Sequence, residues 1–263
     1  MEADSLNACV LGEDAIPGTA EFDLFVKEVH KEITVKTGQK CTAIRRILVP
    51  EKSIDDVQKA LIERLQKTII GNPDNKEVRM GALATKIQVE RVKENVALLM
   101  QSQEKVYGDL NELELVDASL DKGCFISPIL FRNEDPFLKD VVHHVEAFGP
   151  VSTLIPYKNL DEAVAIVEMG KGSLVTSMVT NDDQLAKSFV SEAAHMNGRI
   201  LILNERCAKE STGHGSPMPL LTHGGPGRAG GGEEMGGVRG IKHYLQRTAV
   251  QGHPETITRI TEQ

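Results

Sequence analysis

One pattern constrains this chain more than any other: short apolar runs alternate with stretches of helical period. Phe22, Phe25, Val26, Val29 and Ile33 recur at the spacing of one helix face, predicting a helix over residues 22–36. Residues 43–50 read as a strand stopped by Pro50. Residues 53–70 read as an amphipathic helix, with Ser53 as N-cap, Asp55 and Asp56 in the first turn and Gly71 as its stop. A third helix is predicted over 85–101, and a short apolar run over 125–131 is broken at Pro128. Strands at 151–155 and 174–179 are followed by helices at 161–169 and 184–194. The unbroken apolar run ending at Asn204 reads as a strand covered on both faces. This alternation predicts an α/β fold with a mostly parallel twisted sheet flanked by helices.

The 263 residues fit one large domain or two small ones. A hydrophobic content of 40% against 26% charged excludes a disordered chain. No run approaches the roughly 18 apolar residues of a membrane span. The opening Met1-Glu2-Ala3-Asp4 has neither the basic patch nor the apolar stretch of a signal peptide, so a cytoplasmic setting is expected. A formal charge of −8 argues against nucleic-acid backbone binding, and the absence of tryptophan argues against a single-strand stacking platform. Cys9, Cys41, Cys124 and Cys207 form no C-x-x-C pair, so no disulfide framework is expected. The histidines, including His143 and His144, lack metal-ligand spacing and read as solvated or capping groups; no metal site is expected. From 212 to 240 the chain is crowded with glycine and shows no period, so it reads as one long loop. Residues 240–249 have some strand character and little to bury alone, which points to pairing with another chain or another part of the assembly.

Among residues that could do chemistry, Cys41 stands out. It follows a helix and a glycine-containing turn, where neighbouring N–H groups can favour a thiolate and hold an oxyanion. A buried, inert small side chain is the alternative at that position. Cys9, Cys124 and Cys207 read as structural. Glu2 alone is a solvated terminal charge. Glu146, beside Phe148 and the Gly149-Pro150 turn, could bond a sugar hydroxyl or stay an exposed loop charge. Gly225-Pro226-Gly227-Arg228-Ala229-Gly230 matches G-x-G-x-x-G, yet it does not close a strand and open a helix; it reads as a loop of close backbone approach.

Taken together, these segments resemble the aldehyde dehydrogenase superfamily. Gly38-Gln39-Lys40-Cys41 is similar to its G-Q-x-C nucleophile motif, and Glu146-Ala147-Phe148-Gly149-Pro150-Val151 to its E-x-F-G-P-V motif. The stretch from Gly123 to Phe131 is similar to a third family segment, with Ile129 where threonine is usual. Met1-Glu2-Ala3-Asp4-Ser5-Leu6-Asn7, Cys41-Thr42-Ala43-Ile44-Arg45-Arg46 and the 209–217 and 223–234 segments most resemble the aldehyde dehydrogenase part of bifunctional ring-opening proteins of phenylacetate degradation. The family is about twice this long, so the resemblance implies a C-terminal half: residues 1–12 closing a nucleotide-binding half, 13–239 a catalytic domain, and 240–263 an oligomerisation arm.

The resemblance also implies a mechanism. Cys41 would attack an aldehyde, an oxidation by NADP or NAD would leave a thioester, and Glu2 would activate the water that hydrolyses it. Glu146 would bind the nicotinamide ribose, with Phe148 beside the ring. The substrate implied is a CoA-linked semialdehyde, and the full-length form would be a homo-oligomer. The alternatives are a cofactor-free thiol hydrolase and an inactive assembly module.

Overall fold

The computed structural model describes residues 3–261, apart from Asn111, Pro219, Gly231, Gly232, Gly236, His243, residues 246–249 and Gln251. Glu2 therefore lies outside the described residues, as does most of 246–251. Seven strands form one sheet: β1 (Ala8–Leu11), β2 (Arg46–Pro50), β3 (Glu104–Tyr107), β4 (Ile129–Arg132), β5 (Val151–Tyr157), β6 (Ser173–Val179) and β7 (Asn197–Leu203). Their spatial order is β3-β4-β5-β2-β1-β6-β7. Every neighbouring pair is parallel except β3 and β4. β1, only four residues long and hidden inside the expected 1–12 segment, runs between β2 and β6 and is fully buried.

Side-chain alternation along the strands divides the interior into two layers. Cys9, Leu11, Ile47, Val49 and Val179 face α1 (Ala20–Thr34) and α2 (Ile54–Gln66). Ala8, Val10, Leu48, Ile155 and Met178 face α4 (Leu160–Glu168) and α5 (Asp183–Ala193). α3 (Lys86–Leu99) closes a third cluster over Ile129, Phe131 and Val151. Four of these helices start on a side-chain cap: Thr19, Thr85, Asn159 and Asp182 each accept a bond from the first-turn backbone.

Several expectations are corrected. Ser53 sits at the start of α2 but its side chain makes no capping bond, because a 3-10 turn over Glu51–Ser53 leads directly into the helix. α2 ends at Gln66, tightened by 3-10 bonds from Lys67 and Thr68, and Gly71 instead bridges to Val116. β7 is an edge strand: Leu201 and Leu203 pack on the α1–α2 side and Ile200 and Ile202 on the α4–α5 side, so both faces are covered, but its central residues are only half-buried. The glycine-rich stretch is not structureless: β8 (Thr222–Gly224) and β9 (Glu233–Met235) pair as an antiparallel ribbon. Residues 240–242, expected to have strand character, belong to α6 (Gly237–Lys242), and α7 (Pro254–Thr261) follows. His143 is buried rather than solvated, held between the Arg46 guanidinium and the Pro136 carbonyl. The 225–230 loop does approach backbone closely: a Cβ on Gly227 would collide with the Lys171 carbonyl, and one on Gly172 with that of Pro226. No helix among the described residues is long and apolar enough to cross a membrane.

Candidate active site

Three segments converge at the N-terminal edge of the parallel strands. Residues 5–7 lead into β1, 40–45 into β2 and 146–150 into β5. Open α/β sheets usually place ligands at the carboxyl ends, so strand topology alone points to the wrong edge here.

The turn that presents Cys41 begins where α1 stops. A 3-10 turn over Val35–Gly38 carries Lys36, Thr37 and Gly38 at φ of 52°, 55° and 68°. Non-glycine residues rarely adopt that left-handed region. The Thr37 hydroxyl steadies the turn by donating to the Gly81 carbonyl at 3.0 Å. Gly38 packs so tightly on the next segment that a Cβ would overlap the Gly149 carbonyl. The chain then reverses at Cys41, which is exposed. The fully buried Asn7 fixes the far side of this reversal. Its Nδ2 donates to the Cys41 carbonyl at 2.8 Å and the Ala43 carbonyl at 3.0 Å, while its own carbonyl accepts from the Arg45 and Arg46 amides.

Cys41 lines two clefts at once. One, of about 520 Å³, is lined by Ala3, Asp4, Ser5, Cys41, Glu146 and Phe148. The other, of about 660 Å³, runs from Cys41 along Lys31, Lys36 and Lys40 to Arg199, Ser216 and His223. The structure thus brings Cys41, Glu146 and Phe148 together around one cavity. Cys9 is buried in the core, and Cys124 and Cys207 line neither cleft.

Glu146 is not an exposed loop charge. Its Oε1 accepts from Arg45 Nε at 3.1 Å and its Oε2 from the Ser5 amide at 3.2 Å. Burial raises its pKa, with Arg45 and the Ser5 bond opposing. Phe148 is part-exposed, and the Arg45 guanidinium lies 5.5 Å from its ring centroid. In the other cleft, Lys40 pairs with the fully buried Glu32 at 2.6 Å. Burial pushes Glu32 upward and Lys40 draws it back. Thr42 donates to the Gly215 carbonyl at 3.2 Å, tying the Cys41 turn to the glycine-rich segment. That segment is itself anchored by buried His214, whose ring meets Ser177 Oγ at 2.5 Å.

Sequence reasoning missed Asn7, Arg45 and Arg228 as parts of this site. Arg228 projects from the glycine-rich loop, pairs with Asp4 through two nitrogens and donates to the His143 carbonyl at 2.9 Å. It thereby holds the segment next to Glu2. The available signals were an adjacent Arg45-Arg46 pair in an apolar surround and a lone arginine among glycines, both unusual enough to need a partner. Among the described residues, no three His, Cys, Asp or Glu side chains are placed to hold a metal ion.

The model of the aldehyde dehydrogenase family matches residues 4–250. The 3,4-dehydroadipyl-CoA semialdehyde dehydrogenase of Aromatoleum evansii is 43% identical over 226 residues, which cover 86% of this chain and 44% of that protein. Protein MaoC of Klebsiella aerogenes is 48% identical over 185 residues, covering 70% and 53%. A point mutant of betaine aldehyde dehydrogenase from Staphylococcus aureus, solved with NAD+, shares the fold at a TM-score of 0.77 and 23% identity, over 93% of this chain and 46% of that one. Aldehyde dehydrogenase C of Pseudomonas syringae, solved with NAD+ and octanal, matches at a TM-score of 0.71 and 25% identity, over 93% and 45%. The chain spans about half the length of the curated relatives it matches. A sheet of this topology, a cysteine turn at its N-terminal edge and these likenesses place the chain in the aldehyde dehydrogenase family.

Proposed function

We propose that the chain forms the catalytic part of an enzyme that oxidises an aldehyde to its acid through a thioester on Cys41, with NADP or NAD as oxidant. The observation that carries this reading is the position of Cys41 at the junction of two clefts, one bearing Glu146 and Phe148, the other a basic wall. The residues of the first cleft fit the nicotinamide-ribose end of such a cofactor. Each Glu146 oxygen accepts one bond within the protein, which leaves lone-pair capacity for a ribose hydroxyl. Phe148 offers an apolar surface beside it. When bound, the nicotinamide supplies the two-electron oxidation.

The rest is the work of this chain. Cys41 sulfur bonds to the aldehyde carbon, and the carbonyl oxygen becomes an oxyanion near the Cys41 backbone amide. The bond from Asn7 to the Cys41 carbonyl fixes the peptide that follows Cys41, and with it the turn that presents the sulfur. After oxidation the acyl group stays on sulfur as a thioester. Glu2 takes a proton from water, the hydroxide adds to the thioester carbon, and the carboxylic acid leaves as the thiolate returns. Arg228 and the Ser5 bond to Glu146 hold the stretch just after Glu2 against this cleft. Lys31, Lys36, Lys40, Arg199 and His223 give the second cleft a basic wall, which supports an anionic, CoA-linked semialdehyde as substrate. The exposed Val238, Ile241, Tyr244 and Leu245 support residues 240–263 as part of an oligomerisation arm.

The test is mass spectrometry of the protein after exposure to a CoA-linked semialdehyde with NADP+ or NAD+, beside absorbance of the reduced nicotinamide. An acyl adduct on Cys41 that disappears in Cys41→Ala and accumulates in Glu2→Gln is expected. Adducts confined to Cys124 or Cys207, or equal turnover by either variant, overturn the roles.

A further inference from the structure

Arg45 is buried to 5% exposure, yet every nitrogen of its guanidinium is engaged around the site. Nε meets Glu146 Oε1 at 3.1 Å, Nη1 donates to the Gly149 carbonyl at 2.6 Å, and Nη2 donates to the Gly38 carbonyl at 2.8 Å and the Lys40 carbonyl at 3.5 Å. The same plane lies 5.5 Å from the Phe148 ring centroid. One side chain therefore spans the two halves of the first cleft. Gly38 and Lys40 belong to the turn that carries Cys41; Gly149 follows Glu146 and Phe148, which line the same cleft as Cys41. We infer that Arg45 is a positioning residue that bolts the nucleophile turn to the segment bearing Glu146 and Phe148. This rests on the reading of Cys41 as nucleophile.

The chemistry selects arginine. A planar fork can donate in several directions at once, whereas a lysine is a single point charge. Burial draws the Arg45 pKa down, and Glu146, Glu32 and a charged Cys41 oppose that shift. Other charges also face Cys41. Lys31, Glu32, Lys36, Lys40, Arg199 and His223 share the lining of one cleft, and Asp4 and Glu146 that of the other. The test therefore varies Arg45, with its partner Glu146 in one variant, and leaves the other charges in place.

Arg45→Met leaves Glu146 buried without its cation and risks misfolding. The double variant Arg45→Met/Glu146→Gln removes both charges of the ion pair, and Arg45→Lys keeps a charge without the fork. In the full chain, iodoacetamide alkylation of Cys41 is followed by peptide mass spectrometry from pH 5 to 10, with circular dichroism verifying the fold. Expected is a wild-type Cys41 that reacts faster than glutathione at pH 7. The double variant should react about tenfold more slowly there, with the rising limb displaced to higher pH. Arg45→Lys should keep the limb near its wild-type pH but at a lower plateau, because the turn is no longer clamped. A folded double variant with the wild-type rate and profile overturns the role of Arg45. A wild-type Cys41 no faster than glutathione overturns the nucleophile reading, and this inference with it.

Discussion

Asn7 shows how one uncharged side chain can fix the geometry of the turn that carries Cys41. It has no exposed surface, and its amide bridges the chain entering β1 and the turn entering β2. Its Oδ1 meanwhile accepts from Ser5 Oγ at 2.7 Å and the Val175 amide at 3.2 Å. Replacing it by alanine would take this partner from two carbonyls, a hydroxyl and an amide. Each stranded group costs on the order of 1–3 kcal/mol. We expect Asn7→Ala to lower the urea midpoint by an amount corresponding to roughly 3 kcal/mol, and to slow Cys41 alkylation in the fraction that stays folded. An unchanged midpoint would count against this account. Nothing in the sequence around Asn7 announces the role, because its partners are side by side only once β1 and β2 have paired.

At the scale of elements, the helices were legible and the strands only in part. α1, α3, α4 and α5 fall within about two residues of their sequence-read bounds, because a 3.6-residue apolar period is a local property. β1 escaped notice since four residues give no period, although their burial makes them the middle of the sheet. For β7 the run showed the strand and its apolar contacts on both faces, but not its place at the edge, which leaves it half-buried. An apolar run reports what its residues prefer, while its place at the edge depends on what pairs beside it. The turn after α1 carries a prediction of its own. Gly38 holds a φ of 68° and lies against the Gly149 carbonyl. Gly38→Ala should therefore lower the melting temperature, at a cost of about 1–3 kcal/mol, and misplace Cys41. Differential scanning calorimetry checks the first effect and the alkylation rate the second. A neutral result would show that the turn relaxes freely.

Across the whole molecule, buried histidines link stability to pH. Burial, with Arg46 beside it, pulls His143 from 6.5 to about 3. The bonding fits a neutral ring: Nδ1 accepts from Arg46, and Nε2 donates to the Pro136 carbonyl. His214 is likewise pushed well below 6.5, by burial first and then by Arg199 and Lys40. The unfolded chain takes up these protons near pH 6.5, whereas the folded one resists them. Folding stability should thus be complete above about pH 6.5 and fall steadily from there toward pH 3. Urea titrations at fixed pH values test this, and His143→Gln should flatten part of the slope. Equal acid slopes for wild type and variant would remove His143 from the explanation. The carboxylates of Glu32 and Glu146 act with the opposite sign at pH values above their ordinary 4.5, since burial raises both. Their contribution favours the fold as pH falls, so the measured slope is the balance of the two groups.

By itself the sequence determined the α/β alternation, the helix faces, and the residues on which the family likeness rests: the cysteine turn and the Glu146–Phe148 motif. These are local matters of period, turn chemistry and short-range pattern. Only the tertiary structure decided that the site lies at the N-terminal edge of the sheet, that Arg45 joins two segments about a hundred residues apart, and that Arg228 reaches back to Asp4. Those contacts exist because parallel strands from distant parts of the chain are brought into register. No local pattern encodes which carbonyl or carboxylate a buried guanidinium will meet when they do.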